Sequence, residues 1–288
     1  MAWSVIAAFG ALLCWGFGDF LIQRSVRRIG DIESLAWIGI VGIVGLLPFV
    51  IHDFLLVTPK QVILLISLSL ITFVSALMNF EALKRGKLSV IEIVMTLELP
   101  LTVMLAIVLF NERLSILQGS AIGLVFLGVV LIATENLSYF KKMKNFFEKG
   151  VILAAFAALA MGLTNFLTGA GAKSISPLLV IFVPWVVFTA LCFFVIETRR
   201  EGVRKFSHHW KNYRSLVLFM GLFDTAAWLL YAFALVGGAL SITTALTESY
   251  PAVALFFGVW INRERLGWHQ YLGALLAIGA SVGLAMSV

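Results

Sequence analysis

The sequence predicts an all-α integral membrane protein with ten transmembrane helices arranged as two inverted five-helix repeats. Composition, the spacing of apolar runs and the placement of basic residues carry this prediction. Of the 288 residues, 61% are hydrophobic and 12% charged, with a mean hydropathy of +1.03. Soluble domains are nearer half apolar and a quarter charged, and a water-facing surface this apolar would aggregate. A spanning helix takes about 20 apolar residues. Ten of them account for most of the chain and leave no room for a soluble domain.

Hydropathy places the spans at 3–23, 34–51, 61–80, 88–110, 116–134, 150–170, 177–196, 214–234, 240–261 and 267–287. All should be helices, because an open strand cannot satisfy its backbone in hydrocarbon and the runs lack the period-2 alternation of a barrel. The loops after the odd-numbered spans carry Arg24, Arg27 and Arg28, then Lys84, Arg85 and Lys87, then Lys141, Lys142, Lys144 and Lys149. Next come Arg199, Arg200, Arg204, Lys205, Lys211 and Arg214, and last Arg263 and Arg265. These are 18 of the 21 basic residues, leaving Lys60, Arg113 and Lys173 for the other side. The asymmetry predicts cytoplasmic basic loops and extracytoplasmic termini in the cell (inner or plasma) membrane. The net charge of +6 then reflects orientation, and no nucleic-acid partner is expected. No basic n-region or cleavage site precedes Asp19, so the first span should be retained. Cys14 and Cys192 lie within apolar runs and read as packing residues.

The chain repeats itself. Gly16-Phe17-Gly18-Asp19-Phe20-Leu21 matches Gly162-Leu163-Thr164-Asn165-Phe166-Leu167 at an offset of 146. Pro100 followed by Phe110-Asn111-Glu112-Arg113-Leu114 parallels Pro251 followed by Ile261-Asn262-Arg263-Glu264-Arg265-Leu266, after which Gln118 and Gln270 align. Five spans per half is odd, so the second half enters from the opposite side, an architecture on which many secondary transporters are built. The units are 1–138 and 150–288, joined by the basic stretch 139–149.

Two five-helix units, each opening with an apolar-Gly helix and closing with Pro, a short Glu-Arg-Leu turn and a Gly-rich helix, resemble the EamA family of the drug/metabolite transporter superfamily. The resemblance covers nearly the whole chain and implies the fold more strongly than the substrate. Where the family pattern has Gly before the turn glutamate, this chain has Asn111 and Arg263. Glu112 and Glu264 match the family's turn positions. Each stands beside an arginine, Arg113 or Arg265, so local pairing and helix capping are their expected roles.

Ionisable groups inside spans are costly, and they mark cavities and proton paths. Asp19, Glu92, Glu98, Asp224 and Glu248 qualify, with no Lys, Arg or His well inside a span to pair with them. Asp224, Trp228 and Tyr231 stand at i, i+4 and i+7 on one face, a pattern that suits an organic cation held by charge and ring faces. Trp15 and Asp19 repeat the pairing in the first half, and the two faces are expected to converge. The alternative for these aromatics is an interfacial belt or packing. Glu98 precedes Pro100, and Glu248 precedes Pro251. A proline kink beside an acid in both halves points to a midplane site. With the prolines matched, Leu97 falls opposite Glu248, so the two acids need not act alike. Glu92 lies near a span end. Thr72, Ser75 and Asn79 share a face and offer hydrogen bonds to a substrate or to a neighbouring helix.

His208 and His209 lack partners at ligand spacing, so no metal is expected, nor any cofactor. No phosphate loop, HExxH, GxSxG or CxxC pattern points to an enzyme. The sequence therefore predicts a secondary transporter of a small organic solute (an organic cation, amino acid or related metabolite), working by alternating access as a proton-coupled exporter. Its partners are the substrate, protons and the bilayer, and one chain suffices. The alternatives are an uptake carrier for a metabolite or quaternary amine, a lipid-linked substrate flippase, and a non-transporting receptor or scaffold.

Overall fold

In a computed structural model, residues 2–54, 57–85, 94–134, 150–198, 202–253, 256, 259 and 267–287 are described. They form helices and short connections, with no strand among them. In chain order these are α1 (Ala2–Ile29), α2 (Asp31–Phe54), α3 (Pro59–Arg85), α4 (Glu98–Leu109), α5 (Ile116–Ala133), α6 (Val151–Ser174), α7 (Leu179–Thr198), α8 (Gly202–Gly237), α9 (Leu240–Thr247) and α10 (Trp268–Met286). Eight are long and apolar enough to cross a membrane; α4, with 12 residues, and α9, with 8, are not. Glu92, Glu264 and the stretch 139–149 lie outside the described residues.

Several helices outrun the spans predicted for them. Backbone helix continues in α1 to Ile29 and in α3 to Arg85, so basic residues assigned to loops sit on helical ends. The largest departure is α8. Its first eleven residues, expected as loop, are helical and join the span through one non-helical residue, Tyr213 (φ −132°, ψ 22°). Hydropathy averaging misses this stretch because apolar and basic faces cancel within a window.

Helices pack mainly across the two halves. The most extensive contacts of α1 are with α8, and those of α6 are with α3. Likewise α1 meets α9 while α6 meets α4, and α2 pairs with α7 and α5 with α10. The repeated glycine serves the same purpose in both halves. A Cβ on Gly16 would stand 2.6 Å from Val253 Cβ, and one on Gly162 would stand 3.0 Å from Leu101 Cβ. Only glycine lets the first helix of each half approach the proline-bearing segment of the other so closely.

Between α5 and α10 the crossing point is Gly128 against Gly273, where a Cβ on either would meet the other's carbonyl oxygen at 2.7 or 2.6 Å. Side chains tie the pair at its ends. Gln118 Nε2 donates to the Ser287 carbonyl (3.4 Å) and Gln270 Nε2 to the Ile132 carbonyl (3.0 Å), while His269 Nε2 lies 2.6 Å from the Thr134 carbonyl. The aligned glutamines thus perform matching tasks at opposite ends.

The turn before α5 bears out helix capping by Glu112, but the helix it caps is not a local one. Asn111 adopts φ 54°, the left-handed region where glycine is preferred and asparagine is among the best-tolerated substitutes. Glu112 then caps a helix of the other half. Its carboxylate accepts from Leu240 N (2.5 Å), Ser241 N (3.0 Å) and Ser241 Oγ (2.5 Å). Ala239, the N-cap of α9, has no side chain able to do this, so the carboxylate from the first half satisfies the exposed N–H groups and complements the helix dipole. Glu112→Ala is expected to destabilise the protein by about 2 kcal/mol, the range of a lost cap with charged acceptors. Thermal unfolding in detergent measures it, and an unchanged midpoint would remove the cap from the account.

Candidate functional site

The two proline-linked acids sit where helix is interrupted. A turn at 96–97 precedes α4, which begins at Glu98; Glu248 and Ser249 form a turn after α9 before helical backbone resumes at 250–253. Proline accounts for both interruptions. Pro100 has no N–H for the Thr96 carbonyl, which instead accepts from Leu99 N at 3.4 Å. Pro251 likewise removes the i+4 donor from Thr247.

Although the acids do not align in the repeat, they meet. The Glu98 and Glu248 side chains come within interaction range of each other across the two halves. A hydrogen bond between two carboxyl groups needs one proton, since an ionised carboxylate only accepts. Below it, Glu248 N donates to the Thr244 carbonyl (2.8 Å), and Thr244 Oγ1 lies 2.7 Å from the Tyr231 hydroxyl. Tyr231 is fully buried and within electrostatic range of Glu98, Glu248 and Glu112.

Tyr231 also belongs to a ring cluster. Trp15 of α1 packs edge-on against Trp228 (centroids 5.1 Å apart) and lies 5.5 Å from Tyr231 and 6.2 Å from Tyr250. Trp228 and Tyr231 are 6.0 Å apart, and Trp185 of α7 closes on Trp228 at 6.1 Å. The aromatic faces of α1 and α8 therefore converge.

Asp224 stands one helical turn before Trp228 and is only 8% exposed. Its neighbour Thr225 accepts from Trp185 Nε1 at 3.2 Å. A buried carboxylate without a partner is costly unless a cation or a proton joins it. Asp19 lies on the same helix as Trp15, and its side chain is outside the described residues. Asn79, on α3, keeps a buried Oδ1 without a hydrogen-bond partner. Ser75, on the same face, donates to the Ala157 carbonyl of α6 at 3.3 Å and acts as a helix–helix contact.

Sequence reasoning passed over four residues placed here. Trp185 and Tyr250 complete the ring cluster, and each neighbours a proline, which was the available signal. Asn165 is the repeat counterpart of Asp19. It is buried, and its Nδ2 donates to Thr102 Oγ1 at 3.4 Å, one turn beyond Glu98. Thr244 had no signal in the sequence; only the meeting of α8 and α9 reveals it.

No curated protein matches the sequence. Among solved structures, one crystal structure of a protein superimposes with a TM-score of 0.76 and 16% identity, covering 99% of this chain and 96% of the other. At that identity the likeness concerns the fold alone. The model of the EamA-like transporter family matches residues 2–134 and again 148–286. The helices, the close cross-half packing and these two matches agree: the chain is a multi-pass membrane protein and belongs to the EamA-like transporter family, within the drug/metabolite transporter superfamily.

Proposed function

We propose that this protein exports a small organic cation in exchange for protons, by alternating access, and has no enzymatic activity. The meeting of Glu98 and Glu248 carries the proposal, because the interrupted ends of α4 and α9 bring two acids together at the contact between the two halves. In this reading the chain makes ten membrane crossings as two inverted repeats, with the basic loops in the cytoplasm. The exchanged packing of α1 on α8 and α6 on α3 supports the repeat, since a two-fold axis relating the halves interchanges these pairs.

The division of labour follows from position. Asp224 supplies the charge that a desolvated cation needs, while Trp228, Trp15 and Trp185 supply ring faces and edges that exclude water. Glu98 and Glu248 hold the exchanged proton. The Tyr231–Thr244 hydrogen bond joins the two sites, because Thr244 lies one turn from Glu248 and Tyr231 one turn from Trp228. When the pair is without its proton, two like charges hold α4 and α9 apart, and the ring cluster keeps the cation. Uptake of a proton removes that repulsion and lets the segments close, and the movement shifts Tyr231 and releases the cation. One proton moves inward for each cation released, and charge balances over the cycle.

Asp224→Asn tests the cation site. Binding of benzyltrimethylammonium, read from thermal stabilisation, is expected to weaken by about 2 kcal/mol, on the order of 30-fold. In the unaltered protein the same cation should stabilise more as pH rises, because protons compete with it. Equal binding by Asp224→Asn and the unaltered protein would move the cation elsewhere. Sodium-free proteoliposomes with an imposed pH gradient then set direction: accumulation with the gradient reversed identifies an uptake carrier.

A second reading has one observation in its favour. Beside Pro100, an apolar groove of about 360 Å³ opens between α4 and α5, lined by Leu99, Val103, Ile107, Gly119, Ile122 and Phe126 among others. It fits an acyl tail, as a lipid-linked substrate flippase requires. Scrambling of a labelled lipid in liposomes distinguishes it from the exporter.

A further inference from the structure

We propose that the amphipathic first turns of α8 form a binding surface for anionic phospholipid headgroups. At 100° per residue, Arg204, His208 and Lys211 fall within a narrow arc, and Phe206, Trp210 and Tyr213 occupy the opposite side. The structure keeps the two faces apart. Arg204, His208, Lys211 and Arg214 are exposed. Phe206 is buried, stacked on Trp37 of α2 (centroids 4.6 Å, interplanar angle 9°) and edge-on to Phe193 of α7 at 5.0 Å. Trp210 stacks on Trp37 at 5.4 Å yet stays 42% exposed.

This is the composition of a helix lying at the membrane interface, with an aromatic side anchored and a cationic side toward headgroups. Glu201 is the one acid in the stretch 199–214, against six basic residues. Exposed tryptophan settles at headgroup depth, where the indole is half in hydrocarbon and its N–H in water. Arg28 adds a further exposed cation at the bend, its guanidinium 5.8 Å above the Tyr213 ring. The bend matters for placement. A non-helical residue between the amphipathic stretch and the apolar span lets the first lie along the surface while the second crosses.

Charge complementarity selects the occupant. A phosphodiester carrying net negative charge matches the two exposed cations, Arg204 and Lys211, on one arc, whereas a zwitterionic headgroup offsets its phosphate with its own ammonium. The bidentate guanidinium of Arg204 and the point charge of Lys211 recognise phosphate in different ways, so the surface selects for charge rather than one headgroup.

The test uses the full-length protein in nanodiscs of phosphatidylcholine alone or mixed with phosphatidylglycerol. Thermal midpoints are compared with those of Arg204→Gln/His208→Gln/Lys211→Gln and of a control, Lys141→Gln/Lys142→Gln/Lys144→Gln, which neutralises another basic loop. Phosphatidylglycerol should raise the midpoint of the unaltered protein and the control by several degrees, and salt should erase the gain. The α8 variant should show none. No gain in the unaltered protein, or the same gain in the α8 variant, overturns the proposal; so does loss of the gain in the control alone. Should the triple variant fail to fold, Lys211→Gln and tryptophan quenching by brominated lipids decide. Stronger quenching by brominated phosphatidylglycerol than by brominated phosphatidylcholine supports the site, and equal quenching overturns it.

Discussion

Glu248→Gln is expected to abolish proton-driven transport while leaving exchange of one cation for another intact. Glutamine keeps the length of the side chain, and its amide can donate to the Glu98 carboxylate, so the contact between α4 and α9 survives. What it cannot do is lose and regain a proton. Coupled flux should fall by about a hundredfold or more, the scale on which removing an essential proton-transfer group acts. Glu98→Gln should do the same, and the double variant should be little worse than either single one, because groups that act as a unit are not additive. Flux driven by a pH gradient and counterflow without one are measured in the same proteoliposomes. Undiminished driven flux in both single variants would dismiss the pair as the proton site.

Gly128→Ala is expected to have the largest effect on stability. Its Cβ would stand 2.7 Å from both the Gly273 carbonyl oxygen and the Ala277 nitrogen. Both are backbone atoms of a packed helix and cannot rotate aside, so α5 and α10 must separate along their length. A cost of about 2 kcal/mol or more is expected from such overpacking. Gly123→Ala, five residues earlier on an open face of the same helix, is the control, for nothing lies within 4 Å of the added Cβ there. Thermal unfolding of the two variants in one detergent makes the comparison. Equal midpoints would mean that the α5–α10 contact is not a fixed support.

Much of the fold was legible because lipid demands apolar length, which sequence displays openly: eight of the expected spans are helices long and apolar enough to cross. The repeated Gly16 and Gly162 were visible as a pattern, and their task became clear only with Val253 and Leu101 beside them. Glu98 and Glu248 were legible as acids beside prolines. Their meeting was not, because a one-residue offset in the repeat separates them in sequence while the interrupted backbone brings them together in space. Glu112 shows the same limit. An adjacent arginine suggested local pairing and capping; Glu112 does cap a helix, but at an end about 130 residues later, and no local rule reaches that far. The amphipathic start of α8 was overlooked for a simpler reason: a window tuned to spans averages opposite faces to nothing.

The cap that Glu112 places on α9 has a consequence for how the protein is made. The chain emerges from the ribosome first half first, and α1, α3 and α4 enter the bilayer long before α8, α6 and α9 exist to receive them. Until then Gly16 has no segment to approach, Glu98 has no partner acid, and the Glu112 carboxylate faces no helix end. Contacts at such sequence separation form slowly and late. The first half is thus a waiting template rather than a finished domain, and a nascent chain cut short after it holds polar groups in the membrane that only the missing half can satisfy. The contacts that fix the earlier helices are therefore completed only when the last ones arrive.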